Sequence, residues 1–312
     1  MPENNALLQK ADIALNDLVG QGLLNPEMTD TFIRTLIDSP TILNTCRVVT
    51  MNAPTRKINK IGFGSRIMHP APASGTALDA GKRSSPDLGQ IELNTKEGIA
   101  ELWIPYDVME DNIERGSINA AMGESGGGLM STIVTLIGER AALDIEELLI
   151  NGDTNSATPW LAMFDGFLKR ATSHVVNAGG ATINKDILKA GVKAMPDKYL
   201  RNRSRLVHYV SVDNDTEYRD TYANRQTALG DNMLQGTGPV YAYGSQLESV
   251  PLMPNTKGLY TDPLNLLFGI QRKVTMEYDK DIRARVYIIV LTCRIATQIE
   301  ETDAVVSYGN IG

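Results

Sequence analysis

The sequence predicts an α+β fold, and three observations predict it. One long helical run covers Leu129 to Ile150. Strand-like runs of alternating side chains stand at 91–106 and again between Val274 and Tyr287. Between them and the N-terminus lies a segment unable to build its own core. Thirteen of the twenty residues from Pro70 to Gly89 are Gly, Ala, Ser or Pro. Such a composition buries too little apolar surface to offset its ordering entropy.

The 312 residues leave room for about two domains. Apolar residues make up 42% and charged residues 21%, which excludes a wholly disordered chain. Thirty basic against 37 acidic residues give a net charge of −7, the wrong sign for a bulk nucleic-acid binder. The apolar run from Val286 to Leu291 is far too short to span a bilayer, so no membrane association is expected. The N-terminus shows no signal-peptide pattern. Cys46 and Cys293 form no CxxC and read as a chain made in a reduced, intracellular compartment.

In chain order, residues 6–19 and 29–38 carry helical spacing, the second ended by Ser39-Pro40. Strand-like runs at Arg47–Met51 and Ile91–Tyr106 flank the core-less segment, so a long hairpin is expected whose tip has nothing of its own to pack on. Such a loop is either mobile or buried against something else. From Leu129 to Ile150 the apolar stripe is wide enough for burial on more than one side. A helix of that length is about 33 Å long. Asn151-Gly152-Asp153 stops it, with Gly152 as the C-terminal cap. Further on, Ile183–Ala194 reads as a helix, Leu206–Val212 as a strand, and Gly230–Tyr243 as a loop. Two antiparallel strands are read from the alternation at Val274, Met276, Tyr278 and at Ile282, Ala284, Val286.

Charge changes sign along the chain. Residues 41–90 hold seven basic and two acidic residues, net +5; residues 91–125 hold two basic and eight acidic, net −6. Opposite blocks of this kind suit head-to-tail packing of identical subunits, and suit an internally paired surface equally.

Catalytic patterns fail in turn. Gly123-Glu124-Ser125-Gly126-Gly127 matches the nucleophile-elbow spelling, but Ser117–Met122 is no buried strand, as that turn requires. The P-loop spacing at Gly123–Gly128 is followed by Leu129 and Met130 where Lys and Ser or Thr are needed. Asp213-x-Asp215-x-Glu217 begins like a calcium loop, then places Tyr218 and Asn224 at the required Gly and Glu positions. Lys198, Arg201, Arg203 and Arg205 form a basic stripe, read as a solvated or subunit-facing edge. No catalytic, cofactor or metal site is expected. Arms, a core-less loop, a spine-like helix and complementary charge together favour a subunit of an assembly.

Four stretches carry a resemblance. They are Trp103-Ile104-Pro105-Tyr106-Asp107-Val108-Met109-Glu110-Asp111, Glu146-Glu147-Leu148-Leu149-Ile150-Asn151-Gly152-Asp153, Phe164-Asp165-Gly166-Phe167, and Arg272–Ile299 followed by Ala304-Val305-Val306. In this order and spacing, over about residues 30–310, the chain resembles the major capsid proteins of tailed bacteriophages, with the Hong Kong-type capsid fold shared with encapsulin shells. The resemblance implies an N-terminal arm and start of the peripheral domain at 1–61 and an extended loop at 62–98. It implies a peripheral domain with spine helix at 99–165, an axial domain at 166–280 and closing strands at 281–312.

It further implies a virion protein, not an enzyme, assembled in the bacterial host cytoplasm as pentamers and hexamers of an icosahedral shell. The expected inter-subunit contact joins Arg66, Lys82, Arg83 and Asp87 on the loop to a neighbour's acidic group, Asp107, Glu110, Asp111 and Glu114. Gly126, Gly127 and Gly128 form the expected hinge before the spine helix. Portal protein, decoration protein and non-specifically packaged double-stranded DNA are the further partners. Many relatives carry a scaffolding segment ahead of the arm; this sequence begins near the arm, so a separate scaffolding protein is expected, or a trimmed chain. Some relatives bond a loop Lys to an Asn near the closing strands. Lys82 fits the first role, but no Asn lies between Asn265 and Asn310, so no crosslink is expected. Competing readings are an encapsulin-type shell and, from another class, a serine hydrolase using Ser125.

Overall fold

The computed structural model describes residues 42–63, 66–74, 76–83, 85–107, 129–223 and 238–312. The helical runs at 6–19 and 29–38, the glycines 126–128 and Ser125 lie outside the described residues.

Three sheets organise the described residues. A four-stranded sheet has the order β1-β10-β11-β4, from Arg47–Thr50, Leu266–Asp281, Val286–Ile299 and Lys96–Pro105. β1 runs parallel to β10, and the remaining pairs are antiparallel. A six-stranded sheet has the order β5-β12-β9-β6-β8-β7, from His174–Asn177, Val305–Gly309, Lys257–Thr261, Val207–Val210, Ser245–Ser249 and Val240–Ala242. A two-stranded hairpin pairs β2 (Thr55–Gly62) with β3 (Asp87–Asn94).

The long helix α2, Leu129–Asn151, lies on one face of the four-stranded sheet. Ile133 and Ile137 pack on Ile104, Tyr287 and Ile289. One heptad or more later, Ile145, Leu148, Leu149 and Ile150 enter a larger core with Phe268, Cys293 and Ile295. Tyr209, Leu259 and Val305 of the six-stranded sheet share that core. Three consecutive buried residues, Leu148 to Ile150, require neighbours on more than one side, which is what the wide stripe predicts. Each such side chain contributes about 1.5–3 kcal/mol by leaving water. Helices α4 (Lys185–Ala194) and α5 (Val212–Ala223) cover a second core on the six-stranded sheet. Asn184 caps α4, its Oδ1 accepting from the Asp186 and Ile187 amides at 2.9 and 3.0 Å.

Gly152 ends α2 for a reason different from the expected cap. Its φ is not positive; only Gly179, Gly180 and Gly244 are left-handed among the described glycines. A Cβ at Gly152 would instead collide with the Phe164 and Leu148 carbonyls, and one at Gly166 with the Gly152 amide. The two glycines let the helix end and the Phe164–Phe167 segment meet backbone to backbone, and Gly166 donates to the Gly152 carbonyl at 2.8 Å. Asp165 Oδ1 then accepts from Thr154 N and Oγ1 at 3.0 and 2.9 Å.

Several elements differ from expectation. Arg47–Met51 does not flank the hairpin as a partner strand; its β1 joins β10, and β2, rich in Arg and Lys, supplies the hairpin instead. The run at 91–106 is two strands divided at Thr95, because β3 pairs with β2 and β4 with β11. Ile282–Arg285 is no strand but the turn of the β10–β11 hairpin. Asp281 Oδ1 accepts from the Arg283 and Ala284 amides at 2.8 and 3.1 Å, and Arg285 closes the turn at φ 54°. The strand read at Leu206–Val212 ends at Val210, and Val212 opens α5. The expected boundary at 280/281 falls at that same turn, inside one sheet, while β12 of the closing segment belongs to the six-stranded sheet. Strand pairing between residues distant in sequence decides both, and local pattern does not carry it.

Candidate assembly surface

The hairpin is anchored at its base and unsupported at its tip. At the base Leu93 packs with Met51, Leu267 and Ala296, and Ile58 lies against them. Lys60 Nζ pairs with Glu301 Oε2 at 2.9 Å and donates to the Glu300 carbonyl at 3.3 Å. Arg47 pairs with Glu300 at 2.9 Å, and Gln298 Nε2 donates to the Glu92 carbonyl at 3.1 Å. Beyond Lys60 apolar side chains meet water. Ile61, Phe63, Ile67, Met68 and Leu88 are exposed, Met68 to 78%. A two-stranded ribbon with apolar side chains in water is only marginally stable alone.

The sequence-predicted contact residues fall on this tip. Arg66, Lys82, Arg83 and Asp87 are all exposed. Lys82 closes a single 3-10 turn, Ala80–Lys82, and Arg83 Nε donates to the Leu78 carbonyl at 3.3 Å. Asp107, at the end of β4, meets none of these in its own subunit. It faces Arg285 of the β10–β11 turn at 3.5 Å. Glu110, Asp111 and Glu114 lie outside the described residues.

Sequence reading missed two carboxylates that hold neighbouring elements together. Glu97 on β4 receives Arg294 at 2.8 Å and pairs also with Arg272, so its carboxyl is held below the ordinary range, chiefly by the Arg294 hydrogen bond. Glu146, buried inside α2, accepts from the Ile42 and Leu43 amides at 2.5 and 3.3 Å. Those amides open the short helix α1, Ile42–Thr45, so Glu146 ties the start of the described chain to the spine. The signal was a Glu amid a helix's apolar stripe, which reads from sequence as a solvated face.

Among the described residues no three His, Cys, Asp or Glu side chains converge to hold a metal. The two cysteines are buried and unpaired, and burial pushes the Cys46 thiol up to about 11. No described helix is long and apolar enough to cross a membrane.

What the surface belongs to follows from relatives. No protein-family model matches the chain. It is 42% identical over 314 positions, 97% of either chain, to "Putative prophage capsid protein YqbE" of Bacillus subtilis (strain 168). The chain belongs to the major capsid proteins of tailed bacteriophages. The fold of this capsid protein agrees. It superposes on the capsid of a native GTA particle computed with C5 symmetry, with TM-score 0.68 at 14% identity, over 96% of this chain and 100% of that one. It also superposes on the satellite phage P4 procapsid (TM-score 0.63, 16% identity, 100% and 98% covered) and the Microbacterium phage Oxtober96 structure (0.61, 16%, 96% and 99%). The expected α+β capsid fold is therefore present along nearly the whole capsid protein.

Proposed function

We propose that this capsid protein is the shell-forming subunit of its phage, assembling as pentamers and hexamers into a closed icosahedral container around double-stranded DNA. The observation that carries the reading is the hairpin: anchored by Lys60, Leu93 and Gln298, yet with Ile61, Phe63, Ile67, Met68 and Leu88 exposed beyond that anchor. Laid across a neighbouring subunit, that surface leaves water, and Arg66, Lys82 and Arg83 come within reach of the neighbour's Asp107, Glu110, Asp111 and Glu114. Asp87 on the same hairpin answers basic groups there. Interfaces of that kind bury on the order of 2,000 Å² or more, so assembly completes the stability of the subunit.

In this reading the four-stranded sheet with α2 forms the peripheral domain and the six-stranded sheet the axial domain. Gly126–Gly128 provides the joint ahead of the spine. Its role is structural, with no reaction to perform. Scaffolding protein, portal protein, a decoration protein and the packaged genome are its partners, and assembly takes place in the host cytoplasm. A net charge of −7 suits a container that must not grip its genome, because every basic phosphate contact adds salt-dependent affinity.

Negative-stain electron microscopy with light scattering on the purified chain tests this. Closed shells or rings of five or six subunits are expected. A monodisperse monomer or dimer, unchanged by crowding agents or added scaffolding protein, would overturn the reading.

A further inference from the structure

The two segments that flank β6 in the six-stranded sheet carry opposite charge. Residues 197–205, just before β6, hold four basic residues against one acidic, net +3; α5, just after β6, holds four acidic against one basic, net −3. β6 itself is four residues long, so about 13 Å of strand separates the basic segment from the start of α5. The parallel pairing of β6 with β8 places the start of β8 at the basic end, where Ser245 Oγ donates to the Arg203 carbonyl at 3.1 Å. The β7–β8 turn therefore brings Tyr243, at φ 53°, beside the basic segment, and Tyr241 is 57% exposed on β7. At the other end α5 begins against Asn255, whose Nδ2 donates to Asp213 at 2.8 Å.

The charges are only partly used inside the subunit. Arg205 is engaged by Asp262 at 3.0 Å, and Lys198 has Asp303 at 3.9 Å. Among the described residues no carboxylate forms an ion pair with Arg201 or Arg203, and both are exposed. On α5 Arg219 is engaged by Asp215 at 2.8 Å, while Glu217 is exposed one turn along the helix face from exposed Asp213, and Val212 at the helix start is half-exposed.

We infer that the basic end of this sheet, Arg201 and Arg203 with Tyr241 and Tyr243, docks on the α5 face of a second copy, on Asp213, Glu217 and Val212. The occupant follows from complementarity: the surface that answers each end is the other end of the same unit. Two different patches at opposite ends of one body make a heterologous contact, which closes into a ring when the rotation between copies is a whole fraction of a turn. Apolar bodies at both ends give the contact buried area, and the charges set its register and exclude like-with-like pairing. This rests on the shell-forming reading and names the contact that would order subunits around each ring.

Charge exchange tests it. Arg203→Glu alone and Glu217→Arg alone are expected to lower the assembled fraction of the full chain at least tenfold, read by light scattering and electron microscopy. Arg203→Glu with Glu217→Arg restores most of it. Thermal melts of the unassembled subunits separate misfolding from lost contact. Should a charge-reversed subunit fail to fold, Arg203→Gln and Glu217→Gln replace it, with a loss of several-fold expected. Variants that fold and assemble like the parent, or a double variant no better than the worse single, would overturn the inference while leaving the assembly reading intact. A parent chain that never assembles would overturn both.

Discussion

Ile61 on β2 and Leu88 on β3 are register partners across the hairpin, and both are exposed, to 72% and 76%. A cross-strand apolar pair normally leaves water together. Here the pair shields itself from one side only, so its remaining surface is available to another subunit.

The pair's contribution should therefore appear in assembly and not in the subunit. Ile61→Ser with Leu88→Ser is expected to change subunit unfolding by less than about 0.5 kcal/mol, measured by urea titration. The same protein should form shells poorly by light scattering. A large loss of subunit stability would place the pair in an intramolecular core.

Glu146 holds two backbone amides in a buried site. Glu146→Ala leaves those donors without a partner, at a cost of about 2–3 kcal/mol. A lowered urea midpoint with unchanged slope checks this, and an unchanged midpoint refutes it.

Two glycines, one inside the spine helix and one just past its end, carry opposite expectations. Gly152→Ala forces a Cβ into fixed backbone atoms and is expected to destabilise by about 3 kcal/mol or to prevent folding. Gly138→Ala, mid-helix with open space for the methyl, should stabilise by about 0.5–1 kcal/mol. Thermal melts of both variants decide.

His208 is fully buried, stacked on Tyr260 at 4.0 Å, with Nδ1 2.9 Å from the Tyr308 hydroxyl. Burial lowers its pKa from 6.5 to about 3. The unfolded chain therefore takes up the proton first. The stability held by this neutral imidazole is complete above about pH 6.5 and declines as pH falls towards 3, by up to about 1.4 kcal/mol per pH unit. Unfolding free energies from pH 7 to 4 should show that slope in the parent and lose it in His208→Asn.

Much of the fold was legible because it rests on local periodicity. The apolar stripe of Leu129–Ile150 predicted a helix within one residue of its observed end. Ile91 and Leu93 alternate with polar neighbours and are buried as that alternation requires. The composition of 70–89 excluded a self-sufficient core, and none of its described residues is buried. Other features were illegible for a shared reason. β2 carries three basic residues among eight, so its strand character comes from pairing with β3 and not from pattern. Asp107 was read against the hairpin cations, but Arg285 reaches it because the β10–β11 turn folds back beside the end of β4.

By itself the sequence determined the elements whose information is local: the spine helix, the core-less hairpin tip, the alternating strands and the blocks of opposite charge. Tertiary structure alone decided which strands share a sheet, which charges are paired within the subunit and which described ones stay exposed. Pairing residues far apart in sequence, such as Ile42 with Glu146 at 104 positions or Arg47 with Glu300 at 253, depends on the closure of the whole chain. Short-range pattern holds no record of that closure.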